Sequence, residues 1–388
     1  MTISETTPRY HGLDALRGIA MLLGIVLHAA LPYIPDIAAF WPADKNSSEL
    51  IKIIFEFIHV WRMPLFFVLA GFFAKLVISR KSWKVWWGNR FLRIGLPIIV
   101  FFPLMSLLLP WIFQYGKTGE LSFSFSFDGQ PHHLWFLWHL MIFVILTGIF
   151  SLPYLLFTRV LKRTSNSSLR FISTSLHKVD ALLDSIFFRS RFPLGFIIIC
   201  LLINIQTGGE LILNPLASGL YFFFGYLLYK NTVLLNFMKS YWQYYLGTAI
   251  ILFALYVILG IIETNLPRDI YSQSSADIEP NLLQWLQYLL KIICAVLFSY
   301  AFIGLAESKL GSYNRKIRFI SDGSYWMYLI HLPIVTFITF AMFEWSIPAI
   351  YKFLLAIVVT TLICLTTYKY LVRSTFISIF LNGKRYPK

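Results

Sequence analysis

Residues 14–33 read DALRGIAMLLGIVLHAALPY, twenty positions opened by a carboxylate and a guanidinium and interrupted afterwards by one imidazole, His28. At 1.5 Å rise per residue, a run of this length crosses the ~30 Å hydrocarbon core of a bilayer. It is long for the core of a signal peptide and has no convincing small-x-small cleavage site, so it is expected to be a retained first spanning helix. Comparable stretches follow at 50–74, 91–113, 134–157, 193–206, 212–229, 241–262, 284–306, 322–342 and 348–368. The expected fold is all-α, a polytopic integral membrane protein of about ten transmembrane helices, in which 193–206 is the weakest span.

Composition and charge agree with that reading. Of 388 residues, 58% are hydrophobic, 18% aromatic and 13% charged, which is more apolar side chain than one soluble core can bury. A net charge of +15 would point to nucleic acid in a soluble chain, but here the charge is sorted by loop. Lys75, Arg80, Lys81, Lys84, Arg90 and Arg93 share one connection, Lys309, Arg315, Lys316 and Arg318 another, and the tail 373–388 is basic. The longest basic connection, about 158–192, carries Arg159, Lys162, Arg163, Arg170, Lys178, Arg189 and Arg191 against Asp180 and Asp184. Acids mark the connections between: Asp36, Asp44 and Glu49; Glu120 and Asp128; Glu210; Glu263, Asp269, Asp277 and Glu279; Glu344. Lys and Arg mark the cytoplasmic side, so both termini are expected inside, in a multi-pass protein of the cell inner (cytoplasmic) membrane with no nucleic-acid partner.

No internal repeat or long linker divides the chain, so 1–388 reads as a single membrane domain. Cys200, Cys294 and Cys364 fall inside apolar runs as small buried hydrophobes, with no disulfide framework, no CxxC and no metal site implied. The 158–192 connection, with Leu169, Phe171, Ile172 and Leu176 among its charges, reads either as an amphipathic helix on the inner leaflet or as a basic loop. The outer segments 114–132 and 263–283 are polar and aromatic-bearing, placed to form a lid over an outward-facing cleft.

An ionisable group inside a span costs ~2.5–3.5 kcal/mol on insertion scales, so such groups carry the functional signal. Arg17 and His28 are eleven residues apart, which returns them to within about 20° of one helix face and separates them by roughly 16 Å in depth. Against function, Arg17 can snorkel to lipid phosphate, His28 can be a packing residue, and Asp14 can cap the helix. Glu56, His59 and Arg62 at i, i+3 and i+6 share a broad face of the second span, either as a catalytic group or as a self-neutralising network. Arg90 and Arg93 lie one turn apart at the entry to the third span, spaced to grip a phosphate bidentately, although basic residues there also follow from topology alone. In the ninth span Tyr328 and His331 stand at i, i+3, and Pro333 frees the Leu329 carbonyl, which fits a ligand cavity or a packing kink.

Leu13-Asp14-Ala15-Leu16-Arg17-Gly18 followed by His28 resembles the Arg, ten residues, His signature of the acyltransferase 3 family of polytopic membrane proteins. Arg62-Met63-Pro64-Leu65-Phe66-Phe67-Val68-Leu69-Ala70-Gly71-Phe72 is similar to the family's second-helix motif, with Ala70 where Ser is common. Arg90, Arg93 and Pro97 resemble its Arg-rich opening of the third span, His133-Leu134-Trp135-Phe136-Leu137 its His-Leu-Trp-Phe-Leu segment, and Tyr328-Leu329-Ile330-His331 its late Tyr-Leu-x-His. Five motifs stand in the family's order across nearly the whole chain. Within the family, Phe57–Met63 and the outer His132-His133 look most like members understood to transfer succinyl groups to glucans outside the inner membrane.

The resemblance implies a single transmembrane acyltransferase domain that uses acyl-CoA, succinyl-CoA or acetyl-CoA, as co-substrate. It implies transfer to a hydroxyl of an extracytoplasmic glycan, a periplasmic glucan in the nearest members. On it, His28, assisted by Glu56 or His59, is the general base, and Arg62 stabilises the thioester oxyanion or a donor carboxylate. Arg17, Arg90 and Arg93 hold the CoA phosphates, His331 and Tyr328 serve the donor side, and His133 and Trp135 meet the acceptor. Membrane lipids and the glycan are the implied partners, and a homo-oligomer is compatible with the pattern. The rival reading is a proton-coupled transporter of a solute or glycan with a relay through Glu56, His59 and His28. The lack of an inverted repeat counts against it.

Overall fold

The computed structural model describes residues 10–122, 126–161, 167–188, 191–206, 214–265 and 282–386, and all regular structure among them is helical. The α-helices in chain order are α1 (His11–Ala30), α2 (Glu49–Arg80), α3 (Trp83–Arg90), α4 (Leu96–Thr118), α5 (Trp135–Leu161), α6 (Ser167–Phe188) and α7 (Leu194–Gln206). They continue with α8 (Pro215–Leu228), α9 (Thr232–Asn265), α10 (Leu282–Lys309), α11 (Arg315–Ala341), α12 (Ala349–Thr367) and α13 (Ile377–Asn382). Every expected span falls on one of these helices, and eight helical segments are long and apolar enough to cross a membrane. The chain is a polytopic membrane protein.

The two remaining spans are short. The expectation singled out 193–206, which is α7 with 13 residues, but 212–229 is curtailed as well, to the 14 residues of α8. Asn214 starts α8 late: its side chain accepts from the Leu216 N–H at 2.9 Å and Pro215 takes the first turn. The reverse happens at α11, expected from 322. Asn314 caps it earlier, accepting from the Lys316 and Ile317 N–H groups at 2.9 and 3.2 Å, so Arg315, Lys316 and Arg318 ride on the helix rather than in a loop. Of the connection 158–192, α6 forms the helical alternative. Residues 162–166 and 189–190 of that connection lie outside the described residues, as do Glu210, Asp269, Asp277 and Glu279 of the loop-charge pattern and much of the expected lid at 263–283.

Helices α1, α2, α10 and α11 form the interior, with α9 lying along α10, α8 along α2 and α12 beside α11. The outer faces of α4, α5, α9 and α12 expose Ile99, Val100, Ile145, Ile149, Ile250, Ile251, Leu354 and Val358, which is what lipid-facing helices present. Two continuous helical rods contain π-turns, Phe91–Gly95 joining α3 to α4 and Tyr368–Val372 after α12. Such turns insert a residue and re-aim the side chains that follow.

The α2–α8 contact depends on the absence of side chains. A Cβ at Gly71 would sit 1.9 Å from the Phe222 carbonyl oxygen, and one at Gly225 equally 1.9 Å from that of Val68. The two backbones touch there, as small residues permit between helices in lipid. Gly225→Leu is expected to force α8 off α2 and cost about 3 kcal/mol; thermal unfolding of the purified protein in detergent checks this, and an unchanged melting temperature would contradict it.

Candidate active site

His28 occupies the last turn of α1 and Arg62 the middle of α2. His331 lies on α11 two residues before the internal Pro333, and His133 on a 3-10 turn, His132–Leu134, that leads into α5. His132 holds φ +45, a left-handed conformation that costs a side-chain-bearing residue roughly 1–3 kcal/mol. Its Nε2 lies 2.8 Å from Asp128 Oδ2. The result is that His133 turns inward. The His133 ring stands edge-on to His331 at 5.3 Å between centroids, and the His28 ring lies 5.2 Å from His331. Arg62 reaches the group because position 24 has no side chain: a Cβ on Gly24 would lie 2.6 Å from Arg62 Nη1 and 3.5 Å from His331 Nε2.

Polar atoms without partners line this chamber. His28 Nδ1, Arg62 Nε, His331 Nε2 and Trp41 Nε1 are buried and make no hydrogen bond, while the His133 ring lies against the Leu329 and Tyr328 backbone. Each such atom costs about 1–3 kcal/mol in a folded interior, so a cluster of them marks a place shaped for polar ligand atoms. One tautomer is assignable from its surroundings. His331 Nδ1 lies 2.7 and 3.1 Å from the Tyr328 and Met327 carbonyls and must carry its proton there, leaving Nε2 as a lone-pair acceptor facing the chamber. The Tyr328 hydroxyl donates to the His133 carbonyl at 2.7 Å, tying α11 to the turn before α5.

Trp41 closes the chamber from the loop between α1 and α2. Its ring stacks over His28 at 6.4 Å and meets Phe113 edge-on at 4.6 Å. Three residues on, Asp44 receives the Lys352 ammonium at 2.7 Å with both side chains fully buried, and Lys352 also donates to the Phe343 carbonyl at 3.3 Å. Backbone bonds from Asp44 to Pro32 and from Ser48 to Tyr33 hold the same loop. Neither Trp41 nor Lys352 was singled out from sequence. Lys352 was legible by the insertion-cost criterion applied to the other spans; Trp41, an aromatic in a loop, carried no signal.

Toward the other end of α1 a second cavity, about 290 Å³, is lined by Arg17, Arg90 and Arg93 together with Arg318, Asp322 and Tyr325. Arg318 bridges Asp14 at 3.1 Å and grips Asp322 through two nitrogens at 3.0 and 2.7 Å. Arg17 lies 3.3 Å from Asp14 and over the Phe73 ring at 5.2 Å. With both carboxylates engaged, the Nε atoms of Arg90 and Arg93 remain buried and unpartnered. Ala70, at the position where Ser is common in the motif, is part of the wall. Tyr325 stacks on Tyr328 at 6.3 Å and 9°, and Phe136, another wall residue, lies 6.0 Å from Tyr328. Those rings separate the arginine cavity from the imidazole chamber.

Three expected site residues are not brought into the chamber. Glu56 accepts a hydrogen bond from Tyr256 of α9 at 3.0 Å instead of pairing with Arg62. His59 stacks on Phe55 at 5.2 Å and has Lys291 of α10 as its foremost charged neighbour. Successive 60° steps along α2 turn these two toward α9 and α10 while Arg62 turns toward α1 and α11. Trp135 packs edge-on to His139 at 5.1 Å, whose Nδ1 lies 2.9 Å from Ser218 Oγ of α8. Among the described residues no three of His, Cys, Asp and Glu converge to hold a metal ion.

Compared with known proteins, residues 10–369 match the profile of an acyltransferase domain. The chain belongs to the acyltransferase 3 family. Its Arg17–His28 pair, Arg90 and Arg93, and its Tyr328–His331 pair, the motifs that carry the resemblance, fall at these two places in the bundle. Similar curated proteins include glucans biosynthesis protein C of Salmonella heidelberg, 32% identical over 183 residues, and of Salmonella typhi, 32% over 184, each match covering 46% of either chain. The chain thus spans about half the length of the curated relatives it matches. No solved structure matches.

Removing Lys352 strands a fully buried carboxylate. Lys352→Met is expected to destabilise the protein by about 3–5 kcal/mol, with Asp44→Asn added to it restoring part of the loss. Thermal unfolding of both variants reads this out, and equal melting temperatures for wild type and Lys352→Met would show that the pair does not anchor the loop.

Proposed function

We propose that this acyltransferase 3 family member moves an acyl group, succinyl or acetyl, from cytoplasmic acyl-CoA to a hydroxyl of an extracytoplasmic glycan. The positive-inside pattern supports an inner (cytoplasmic) membrane setting with the arginine cavity toward the cytoplasm and the imidazole chamber toward the outer side. The relatives named for glucans biosynthesis favour a periplasmic glucan as acceptor. The observation that carries the reading is the buried, unpartnered set on His28, Arg62, His331 and Trp41, with an arginine-lined cavity directly behind it across Tyr325, Tyr328 and Phe136.

In the reaction His28 takes the proton of the acceptor hydroxyl as its oxygen bonds to the thioester carbon. The carbonyl π pair moves onto oxygen, and the Arg62 guanidinium, desolvated and aimed into the chamber, stabilises that oxyanion. When the tetrahedral adduct collapses, the C–S bond breaks, the CoA sulfur leaves with the electron pair and the imidazolium returns a proton to it. His331 takes over the assistance that sequence reasoning gave to Glu56 or His59. Its Nε2 lone pair, fixed by the Nδ1 bonds to the α11 backbone, can accept a hydrogen bond from the neighbouring imidazolium and spread its positive charge over both rings. Arg17, Arg90 and Arg93 fit the anionic end of the donor, because the two Nε donors are already desolvated and lack partners. Trp41 offers the acceptor a flat apolar face and one N–H donor.

His28→Ala, inserted normally, is expected to lower acyl transfer by about 10²–10⁴-fold with unchanged acyl-CoA affinity; transfer of labelled acyl groups to glycan at the wild-type rate would remove His28 as base. Arg90→Ala is expected to raise the acyl-CoA dissociation constant by roughly tenfold, the worth of one charge-assisted hydrogen bond, measured by equilibrium binding to protein in nanodiscs. Unchanged affinity would leave Arg90 as a topology signal. A transporter would leave labelled acyl-CoA unconsumed.

A further inference from the structure

A third cavity, about 740 Å³, opens between the start of α11, the end of α12 and the C-terminal segment. Its charged lining is Arg315, Lys316, Arg318, Arg373 and Lys384 against a single carboxylate, Asp322. Arg318 already bridges Asp322 and Asp14, so the excess falls on the other four cations, none of which has a carboxylate at ion-pair distance among the described residues. Arg373 is built into place. It follows the π-turn Tyr368–Val372, and its guanidinium is clamped between the Phe319 ring at 5.3 Å and the Tyr386 ring at 5.6 Å. Lys384 Nζ lies 4.6 Å from the centroid of the same Tyr386 ring. The tail that delivers these groups is fastened by Tyr386 N–H to the Arg373 carbonyl at 3.2 Å and Ser378 Oγ to the Lys384 carbonyl at 2.9 Å.

We propose that this vestibule binds a phosphate ester, and that its source is the headgroup of an anionic phospholipid of the membrane leaflet at the basic end of the bundle. Four cations around a roomy, wet pocket with one neutralised acid select a phosphate oxyanion rather than a neutral or cationic ligand. The lipid source follows from the surroundings. Tyr370, Leu371, Phe376 and Ile379 are exposed beside the pocket, giving the π-turn and α13 an apolar outer face that belongs in acyl chains. Ile320 and Leu365 give the pocket itself an apolar wall. The donor's own phosphates have separate arginines: Arg17, Arg90 and Arg93 lie in the inner cavity, and Arg318, Asp322 and Tyr386, common to both linings, stand between the two compartments.

The test is native mass spectrometry of the full-length protein released from nanodiscs that contain phosphatidylglycerol and phosphatidylcholine in equal amounts, with and without free CoA. Wild type is expected to retain phosphatidylglycerol in clear preference. Lys384→Gln, an exposed position whose loss leaves the fold undisturbed, is expected to lower that preference roughly fivefold, and Arg373→Gln by at least as much, with Arg373→Lys intermediate. The proposal is overturned if the preference is absent, if it survives both Gln substitutions, or if CoA displaces the lipid at concentrations that saturate the inner cavity.

Discussion

Arg62 places a guanidinium inside the helix bundle with no carboxylate against it among the described residues, and much of the surrounding architecture is explained by that demand. Its neighbours are a glycine that leaves room, an imidazole whose proton is committed to the backbone, and a tyrosine that ties the next helix to the turn before α5. A bundle that only had to span a bilayer would neutralise or omit such a charge. Keeping it desolvated and unpaired means that the interior is poised to receive negative charge, and that charge is created when a carbonyl becomes tetrahedral.

The same logic repeats at the other end of α1 with opposite bookkeeping. There the carboxylates Asp14 and Asp322 are present, but Arg318 occupies both, so their effect is to fix the walls rather than to quench Arg90 and Arg93. The stacked Tyr325 and Tyr328 rings then stand between two electropositive compartments, which the proposed reaction would use differently, one for a permanent anion and one for a transient one. In the proposed reaction a thioester carbonyl would pass those rings to meet Arg62 while the rest of the donor stays behind.

Hydropathy and loop charge made the helices legible, because burial in lipid leaves a signal in every residue of a span. The one-dimensional reading of α1 also held: an eleven-residue interval is enough to place Arg17 and His28 on one stripe of a continuous helix. It failed on α2, where Glu56, His59 and Arg62 share a broad face in projection yet meet different helices, since a 60° step is small on a wheel and decisive against neighbours as narrow as a helix. Asn214 and Asn314 moved the ends of α8 and α11 because a cap is a single-residue event that a hydropathy window averages away. Trp41 was invisible for a related reason. Its importance comes from a loop pinned by Asp44 and Lys352, residues 308 positions apart, and no local pattern encodes that meeting.

α8, with 14 residues, measures about 21 Å along its axis, whereas the hydrocarbon core beside it wants about 30 Å. Leu216 and Phe223 are exposed on it, so lipid tails meet a helix too short for them. Hydrophobic mismatch of this size draws the leaflets together locally. A helix of this length is matched only where the bilayer thins beside it or its flanking residues reach for the interface, so the α8 side is where the bundle makes the least demand on membrane thickness.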